Sequence, residues 1–498
     1  MEKAWPEIGV KMVKEETNDT KVKQLDAYEI RVGDTVIDVK IYQHPDDFVP
    51  TYTSSVLNVS KTTALILEKI REEFVSKITL PKAEIVDITG IETIKSKFKK
   101  EITRLIKKYF PTVDERTSNL LIEYIIRQNI GLGDVELLLK DPNLEEVVVN
   151  SSKEPVYVYH KKFGWLKTNI YMPNEEKTRH YATMIARDVG KEITTLNPLL
   201  DAHLLTGDRV NATLMPISDR GNTITIRKFA VKPWTITDFL RLKTIDYDAA
   251  AFLWLAIQHE LSVLVAGGTG SGKTSMLNVA ANFIPPNQRV ISIEDTRELT
   301  LPKSLHWVPM ATRLPNPEGK GGVSMLDLVV NSLRMRPDRI IVGEIRRQKE
   351  AEVLFEAMHT GHSVYGTIHA NNAEETITRL TTPPINVPKA VLPALSLILV
   401  QNRNRRTNLR RTLQFAEITP GGDPRVLMQL DPRTDRIKKL RESITAFETL
   451  NLYTGMTRQE MKSDLNEKIR ILQWLVKRNI TDVHEVGMIF AKYYTGRL

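Results

Sequence analysis

Eight consecutive residues, Gly267, Gly268, Thr269, Gly270, Ser271, Gly272, Lys273 and Thr274, with Ser275 after them, have types and spacing suited to one chemistry. A glycine, four residues and then Gly-Lys-Thr is the pattern of a phosphate-binding loop. Glycines let backbone N–H groups turn inward around phosphate oxygens. The helix expected from Ser275 to Ala281 points its positive end at the same anion. Lys273 brings a cation to the β- and γ-phosphates, and Thr274 is placed to ligate Mg2+. The apolar run Leu261 to Ala266 supplies the strand that such a loop must follow. A bound nucleotide is the expectation.

Hydrolysis asks for more: a carboxylate to orient water, a hold on Mg2+, and cations near the charge that develops on the γ-phosphoryl group. Glu294-Asp295 follows the apolar run Val290 to Ile293, and Glu344 follows Ile340-Ile341-Val342-Gly343. Ligands collect at the carboxyl ends of strands in parallel sheets, so both positions are suitable. Gly343 stands where many ATPases carry Asp. His369 ends a further apolar run, Val364 to Ile368. Taken singly, a strand-end carboxylate can serve as a helix cap and a strand-end histidine can be structural. Behind a phosphate loop the three converge on one sheet edge. His362 has less to recommend it.

The elements that position these residues change character along the chain of 498 residues, which is too long for one core. Tyr28, Ile30 and Val32, a Gly33-Asp34 turn and Val36 onward read as a hairpin. Ser60 is placed to cap a helix to about Ser76, with Ala64, Leu65, Leu67, Ile70 and Phe74 as its apolar face. Helices follow, the first rich in lysine (Lys95, Lys97, Lys99, Lys100, Lys107, Lys108), then strands at 147–149, 156–158 and 224–226 around a helix near Lys177 to Val189. From about 240, short β-branched runs alternate with helices, which indicates a parallel sheet covered on both faces. Thr457 to Glu460 is a capping box that opens a helix striped with Met461, Leu465, Ile469, Leu472, Leu475 and Val476, read as core packing.

Composition bounds the function. Lys plus Arg is 70 against 61 acids, a net charge of +9, which suits an anionic surface without requiring one. With no cysteine, disulfides, thiolate zinc sites and cysteine nucleophiles are excluded, as suits a reducing cytosol. The N-terminus Met1 to Pro6 lacks a signal-peptide core, and the longest apolar run, Ala390 to Val400, is interrupted by Pro393 and falls short of the roughly 20 residues a spanning helix needs. A soluble, cytoplasmic chain with at most peripheral membrane contact is expected.

The ordered motifs resemble those of the secretion-superfamily ATPases that drive type II and type IV secretion, type IV pili and archaella. After the phosphate loop come Ile293-Glu294-Asp295-Thr296-Arg297-Glu298-Leu299, then Leu333 to Arg339 running into Val342-Gly343-Glu344-Ile345-Arg346, then Gly361 to Ala370. Upstream, Asp208-Arg209-Val210-Asn211 and Thr225-Ile226-Arg227-Lys228 resemble arginine-bearing segments of the family's N-terminal domain. The resemblance covers roughly 130 to 415. The absent four-cysteine zinc element, the run Glu318 to Gly322 and the wording at 333–336 resemble the archaeal and tight-adherence or type IV secretion branches, so an archaeal pilus or archaellum motor is expected.

The resemblance implies an α/β protein: a RecA-like P-loop NTPase domain, its parallel sheet flanked by helices on both faces, preceded by a smaller α/β domain and an N-terminal α+β extension. The corresponding segments are the extension at 1–94, the α/β domain at 95–232, a linker at 233–239, the ATPase core at 240–430 and a helical C-terminal extension at 431–498. It implies ATP and Mg2+, and a homo-hexamer docked on a polytopic membrane platform protein. Glu294 would position the attacking water, although the base is open between Glu294 and Glu344. Glu344 and Thr274 would hold hydrated Mg2+, and His369 would sense the γ-phosphate. Arg209 and Arg227 would bring positive charge across a subunit boundary. A DNA-transfer or RecA-like nucleic-acid motor is the alternative, but no aromatic stacking platform for single strands is evident.

Overall fold

The structure, a computed structural model, describes residues 22–32, 35–54, 61–77, 88–204, 206–229, 233–313, 315 and 319–497. The Gly33-Asp34 turn, Ser60, Glu318, the N-terminal stretch and Val231-Lys232 lie outside them, as do the side chains of Lys95 and Lys97. The chain divides into two compact units, Met1–Phe229 and Ala230–Leu498.

In the first unit the expected hairpin is β1 (Lys23–Val32) and β2 (Thr35–Gln43), paired antiparallel, with β3 (Thr51–Ser54) beside β2. Strands β4 (Leu144–Val149), β5 (Pro155–His160), β6 (Gly164–Tyr171), β7 (Leu199–His203), β8 (Arg209–Thr213) and β9 (Thr223–Arg227) complete a sheet in the order β1-β2-β3-β6-β5-β4-β9-β8-β7. The N-terminal strands therefore share a sheet with those of 95–232. A fully buried carboxylate pins them there: Asp141 accepts from Tyr28 Oη (2.7 Å) and Tyr52 Oη (2.8 Å). Helices α1 (Lys61–Lys77), α2 (Ile88–Tyr109) and α3 (Glu115–Ile130) build a second core around Phe74, Ile102, Leu105 and Ile122. The expected boundary at 94/95 falls inside α2. On α1 the buried stripe is Leu67, Ile70 and Phe74, and Leu65, expected on that face, falls outside the stripe and is exposed. Short α4 (Val135–Lys140) and α5 (Glu175–Asp188), capped by Asn174, pack on the sheet.

The second unit opens with α6 (Ile236–Arg241), closed at its start by a Thr235–Asp238 capping box inside the stretch expected as linker. Its Ile236, Phe239 and Leu240 are buried in the unit's core. Helix α7 (Tyr247–Gln258) is buried almost all round. The strands are β10 (Val263–Gly267), β11 (Arg289–Glu294), β12 (His306–Ala311), β13 (Arg339–Val342), β14 (Ser363–Ile368), β15 (Leu397–Arg403), β16 (Arg410–Ile418), β17 (Pro424–Asp431) and β18 (Arg436–Lys439). Their order is β12-β11-β13-β14-β10-β15-β16-β17-β18, parallel as far as β15 and antiparallel beyond it. Crossovers run through α8 (Lys273–Ala281), α9 (Met325–Ser332), α10 (Gln348–His359) and α11 (Ala373–Thr381).

Alternation along β10 shows why its strands read as continuous apolar runs. Val263 and Val265 enter one core with α7 and α8, while Leu264 and Ala266 enter the other with α10 and α11. Both faces are covered, so every position is apolar. This is the expected RecA-like P-loop fold.

Helices α12 (Thr445–Thr454), α13 (Arg458–Lys477) and α14 (Val483–Tyr494) finish the chain, so the helical part starts after β18. The stripe on α13 joins the α7 core, and the Thr457–Glu460 capping box is present. From α14, Phe490 packs edge-on to Trp254 at 4.7 Å, and Tyr494 Oη donates to the Phe283 carbonyl (2.6 Å) while accepting from Trp254 Nε1 (2.8 Å). These contacts make the last helices part of the second unit's core. Phe490→Ala should therefore cost about 3–5 kcal/mol, and Tyr494→Phe about 1 kcal/mol. Urea denaturation of the full chain measures both; an unchanged midpoint for Phe490→Ala would detach α14 from the core.

Candidate functional site

Strand β10 ends in Gly267, whose φ of +157° and crowding allow no side chain: a methyl group there would lie 2.4 Å from Ser271 Oγ and 2.5 Å from the Gln401 carbonyl oxygen. Gly268, Thr269 and Gly270 carry the loop outward, with Thr269 and Gly270 exposed. Gly272, at φ +93°, turns it into α8. Lys273, Thr274 and Ser275 form the first turn of that helix, half-buried at the loop. Ser271 Oγ is buried and has no hydrogen-bond partner among the described residues. A buried hydroxyl left over in a glycine-rich loop before a helix start matches a phosphate oxygen. The residues present thus fit a nucleotide polyphosphate.

Parallel pairing brings the expected strand ends together. Lys273 Nζ donates to the Gly268 carbonyl (3.1 Å) and lies 3.5 Å from His369 Nδ1, just past the end of β14. His369 Nε2 is 3.2 Å from Glu344 Oε1, and Glu344 Oε2 accepts from Arg346 Nη2 (2.7 Å). Arg346 Nη1 donates to Asp295 Oδ2 (2.7 Å), and Asp295 Oδ1 accepts from Thr312 Oγ1 (3.2 Å). One polar chain therefore crosses the carboxyl ends of β10, β14, β13, β11 and β12. Burial, and then the Lys273 cation, lower the His369 pKa, so the ring is neutral at pH 7. An ammonium cannot accept, so Nδ1 is the acceptor toward Lys273 and Nε2–H donates to Glu344.

Glu294 is placed differently. It is only 2% exposed at the last position of β11, and its Oε1 accepts from the backbone N–H groups of Glu298 (2.9 Å) and Leu299 (3.0 Å). Its Oε2 is buried with no partner among the described residues. Burial outweighs the two amide bonds and pushes its pKa up to about 7. Gly343 packs beside it: a methyl group at 343 would lie 3.4 Å from Glu294 Cα and Cγ, an ordinary contact distance. His362 caps α10 through contacts with the Ala357 carbonyl and Thr360.

Arg209 and Arg227 belong to the first unit, where they are direct cross-strand partners on β8 and β9, and both are exposed. Arg209 pairs with Asp201 at 3.0 Å, and Arg227 lies opposite Glu146 on β4. Three further arginines stand at the loop and strand ends without having been assigned a role: Arg346, Arg403 and Arg410. Arg410 Nε donates to the Gly270 carbonyl (3.0 Å). The signal for Arg346 is its place two residues beyond Glu344. For the other two it is five arginines within 403–411. Among the described residues no group of three or more His, Asp or Glu could cage a metal ion, which is the usual situation for Mg2+ held by phosphates, waters and one or two side chains.

Residues 205–417 match the family described as type II/IV secretion system protein. An uncharacterized protein of Methanocaldococcus jannaschii is 35% identical over 396 residues, which span 77% of this chain and 71% of the relative. A second protein of that organism is 38% identical over 344 residues, but the match spans 68% of this chain and only 46% of the relative. The type IV secretion system protein PtlH of Bordetella pertussis is 32% identical over 266 residues, 49% of this chain and 77% of PtlH. With its phosphate loop and the strand-end chain behind it, this protein belongs to the type II/IV secretion system family and is an ATPase.

Proposed function

We propose that the chain is a hexameric cytoplasmic ATPase, peripheral at the inner face of the cell membrane. It couples ATP hydrolysis to assembly or movement of a type IV pilus-like filament, a pilus or archaellum, or to secretion, by docking on a polytopic membrane platform protein. Among the described residues no helix is long and apolar enough to cross a membrane. The Methanocaldococcus jannaschii relatives support the archaeal branch.

The observation that carries the reading is the polar chain from Lys273 through His369, Glu344 and Arg346 to Asp295. It ties the phosphate-contacting lysine to three other strand ends, so occupancy at one end disturbs hydrogen bonds at the other. The γ-phosphate competes with the Gly268 carbonyl and His369 for Lys273, and His369 thereby registers it. Thr274 and Glu344 are the residues to hold Mg2+, which supplies neutralisation of phosphate charge. Glu294, with one oxygen fixed by backbone amides and the other directed at no protein donor, is the water-positioning base. Glu344, already engaged by His369 and Arg346, is the weaker candidate. Arg209, paired with Asp201, and Arg227, opposite Glu146, are cross-strand neighbours that bring two guanidinium groups together. Such a pair suits an anion, the nucleotide of a neighbouring subunit.

Three outcomes are expected. Lys273→Ala should lower ATP hydrolysis by about 10²–10³ and leave cells bare of filament or secreted product; hydrolysis and surface electron microscopy check this, and equal rates would remove the motor reading. Glu294 ionises near pH 7, and only its carboxylate can take a proton, so kcat should rise as pH climbs through that region and level off above it. Glu294→Gln should abolish that limb while ADP still binds; a pH profile surviving the substitution would move the base to Glu344. Mixing Arg209→Ala subunits with Lys273→Ala subunits should restore part of the activity, because an arginine acting in trans is worth about 10³–10⁵ in rate; no recovery at any ratio would place Arg209 in its own subunit's site or outside it.

A further inference from the structure

Strand β15 is the neighbour of the P-loop strand β10 on the side away from His369 and Glu344. It ends at Arg403, and β16 begins at Arg410, its cross-strand partner. Both therefore sit at the carboxyl edge of the parallel sheet, where ligands bind. The connection is strongly basic: Arg403, Arg405, Arg406, Arg410 and Arg411, with no acidic residue in 402–411. Like charges at this density repel unless something anionic is near.

The five arginines are not equivalent. Arg411 turns away and is clamped by Asp435, through Nε (2.8 Å) and Nη2 (2.8 Å). Arg405 and Arg406 are exposed at the tip. Arg403 and Arg410 are half-buried and lie on the phosphate loop. Arg410 Nε donates to the Gly270 carbonyl (3.0 Å), and its Cδ is 3.6 Å from where a methyl group on Gly272 would be. Arg403 Nη1 is 2.8 Å from the corresponding point on Gly270, and its Nε is fixed by Asn408 Oδ1 (2.8 Å). Two guanidinium groups thus flank the outer turn of the loop, on the side opposite Lys273's partner His369.

We infer that Arg403 and Arg410 are polyphosphate-binding residues of the nucleotide site, a cationic flank supplied in cis by the β15–β16 hairpin. Planar guanidinium donors suit phosphate oxygens. Arg410 has a second duty: its bond to the Gly270 carbonyl turns that oxygen outward and leaves the loop amides for the ligand. Because ADP and ATP share the charge recognised, the pair sets affinity for both. This rests on the nucleotide-site reading above.

The test is calorimetric binding of ADP and of inorganic triphosphate to the full-length protein. Arg403→Ala and Arg410→Ala should each raise the Kd of both probes about tenfold, the scale of one charge-assisted hydrogen bond. The double variant Arg405→Ala/Arg406→Ala removes the same charge as losing Arg403 and Arg410 together, yet should leave both constants within about twofold, since exposed charges at a distance are screened. Equal effects of the two double variants would overturn the assignment, reducing the hairpin to a diffuse field. A loss on ADP with none on triphosphate would overturn it too, moving the arginines to the ribose or base. Should Arg410→Ala lower the melting temperature, Arg403→Ala decides alone. If wild type bound neither probe, or Lys273→Ala bound both as wild type does, the nucleotide-site reading itself would fail instead.

Discussion

The second unit is organised by the burial of its parallel sheet on both faces. Val263 and Val265 face one helical layer, Leu264 and Ala266 the other, and the same holds for Leu397 and Leu399 against Ile398 and Val400. Charged side chains in such strands cannot point to either face without losing water, so they are confined to the two ends. At the amino end, fully buried Arg339 donates to Ser363 Oγ (2.8 Å), Tyr365 Oη (2.6 Å) and Gln288 Oε1 (2.7 Å), a structural cluster. At the carboxyl end the strands release Lys273, Glu294, Glu344 and His369 toward one edge. The polarity of a parallel sheet thus separates architecture from chemistry.

Two carboxylates end neighbouring strands there, and their surroundings divide the work. Glu344 lies between the His369 imidazole and the Arg346 guanidinium and is engaged by both. Glu294 lies among apolar neighbours with two backbone amides for company, and its pKa moves toward 7. One carboxylate is thus held by side-chain donors and the other by burial and backbone amides.

The phosphate loop and the strand-end residues could be read from local sequence because each follows an apolar run that announces a buried parallel strand. What escaped notice depends on pairing between distant segments. The alternation at 28–36 shows an amphipathic hairpin but not its partner; β3 joining β6 and the buried Asp141 gripping Tyr28 and Tyr52 put it in the larger sheet. The linker expected at 233–239 contains a helix because Thr235 and Asp238 close a capping box, a short motif easily passed over. Arginines at 403–411 look like a solvated turn until antiparallel pairing of β15 with β16 folds two of them back onto Gly270. The resemblance points to Arg209 and Arg227, whereas their direct opposition comes from register alone.

Rigidity is distributed unevenly around the loop. Behind α8, Phe283 stacks on Trp254 at 5.5 Å with rings 7° from parallel, and Tyr494 Oη closes on the Phe283 carbonyl. Close-packed aromatics of this kind do not deform by degrees. The C-terminal helix therefore fixes the far end of the P-loop helix. In front of it the contacts are of another sort: Lys273 on a carbonyl, a long 3.5 Å approach to His369, and carboxylate–guanidinium pairs near the surface. Such contacts exchange partners at little cost when a phosphate arrives. A fixed rear and an exchangeable front mean that binding energy is expressed as rearrangement of strand-end side chains and not as distortion of the core, which is the condition for a nucleotide site to drive movement and return.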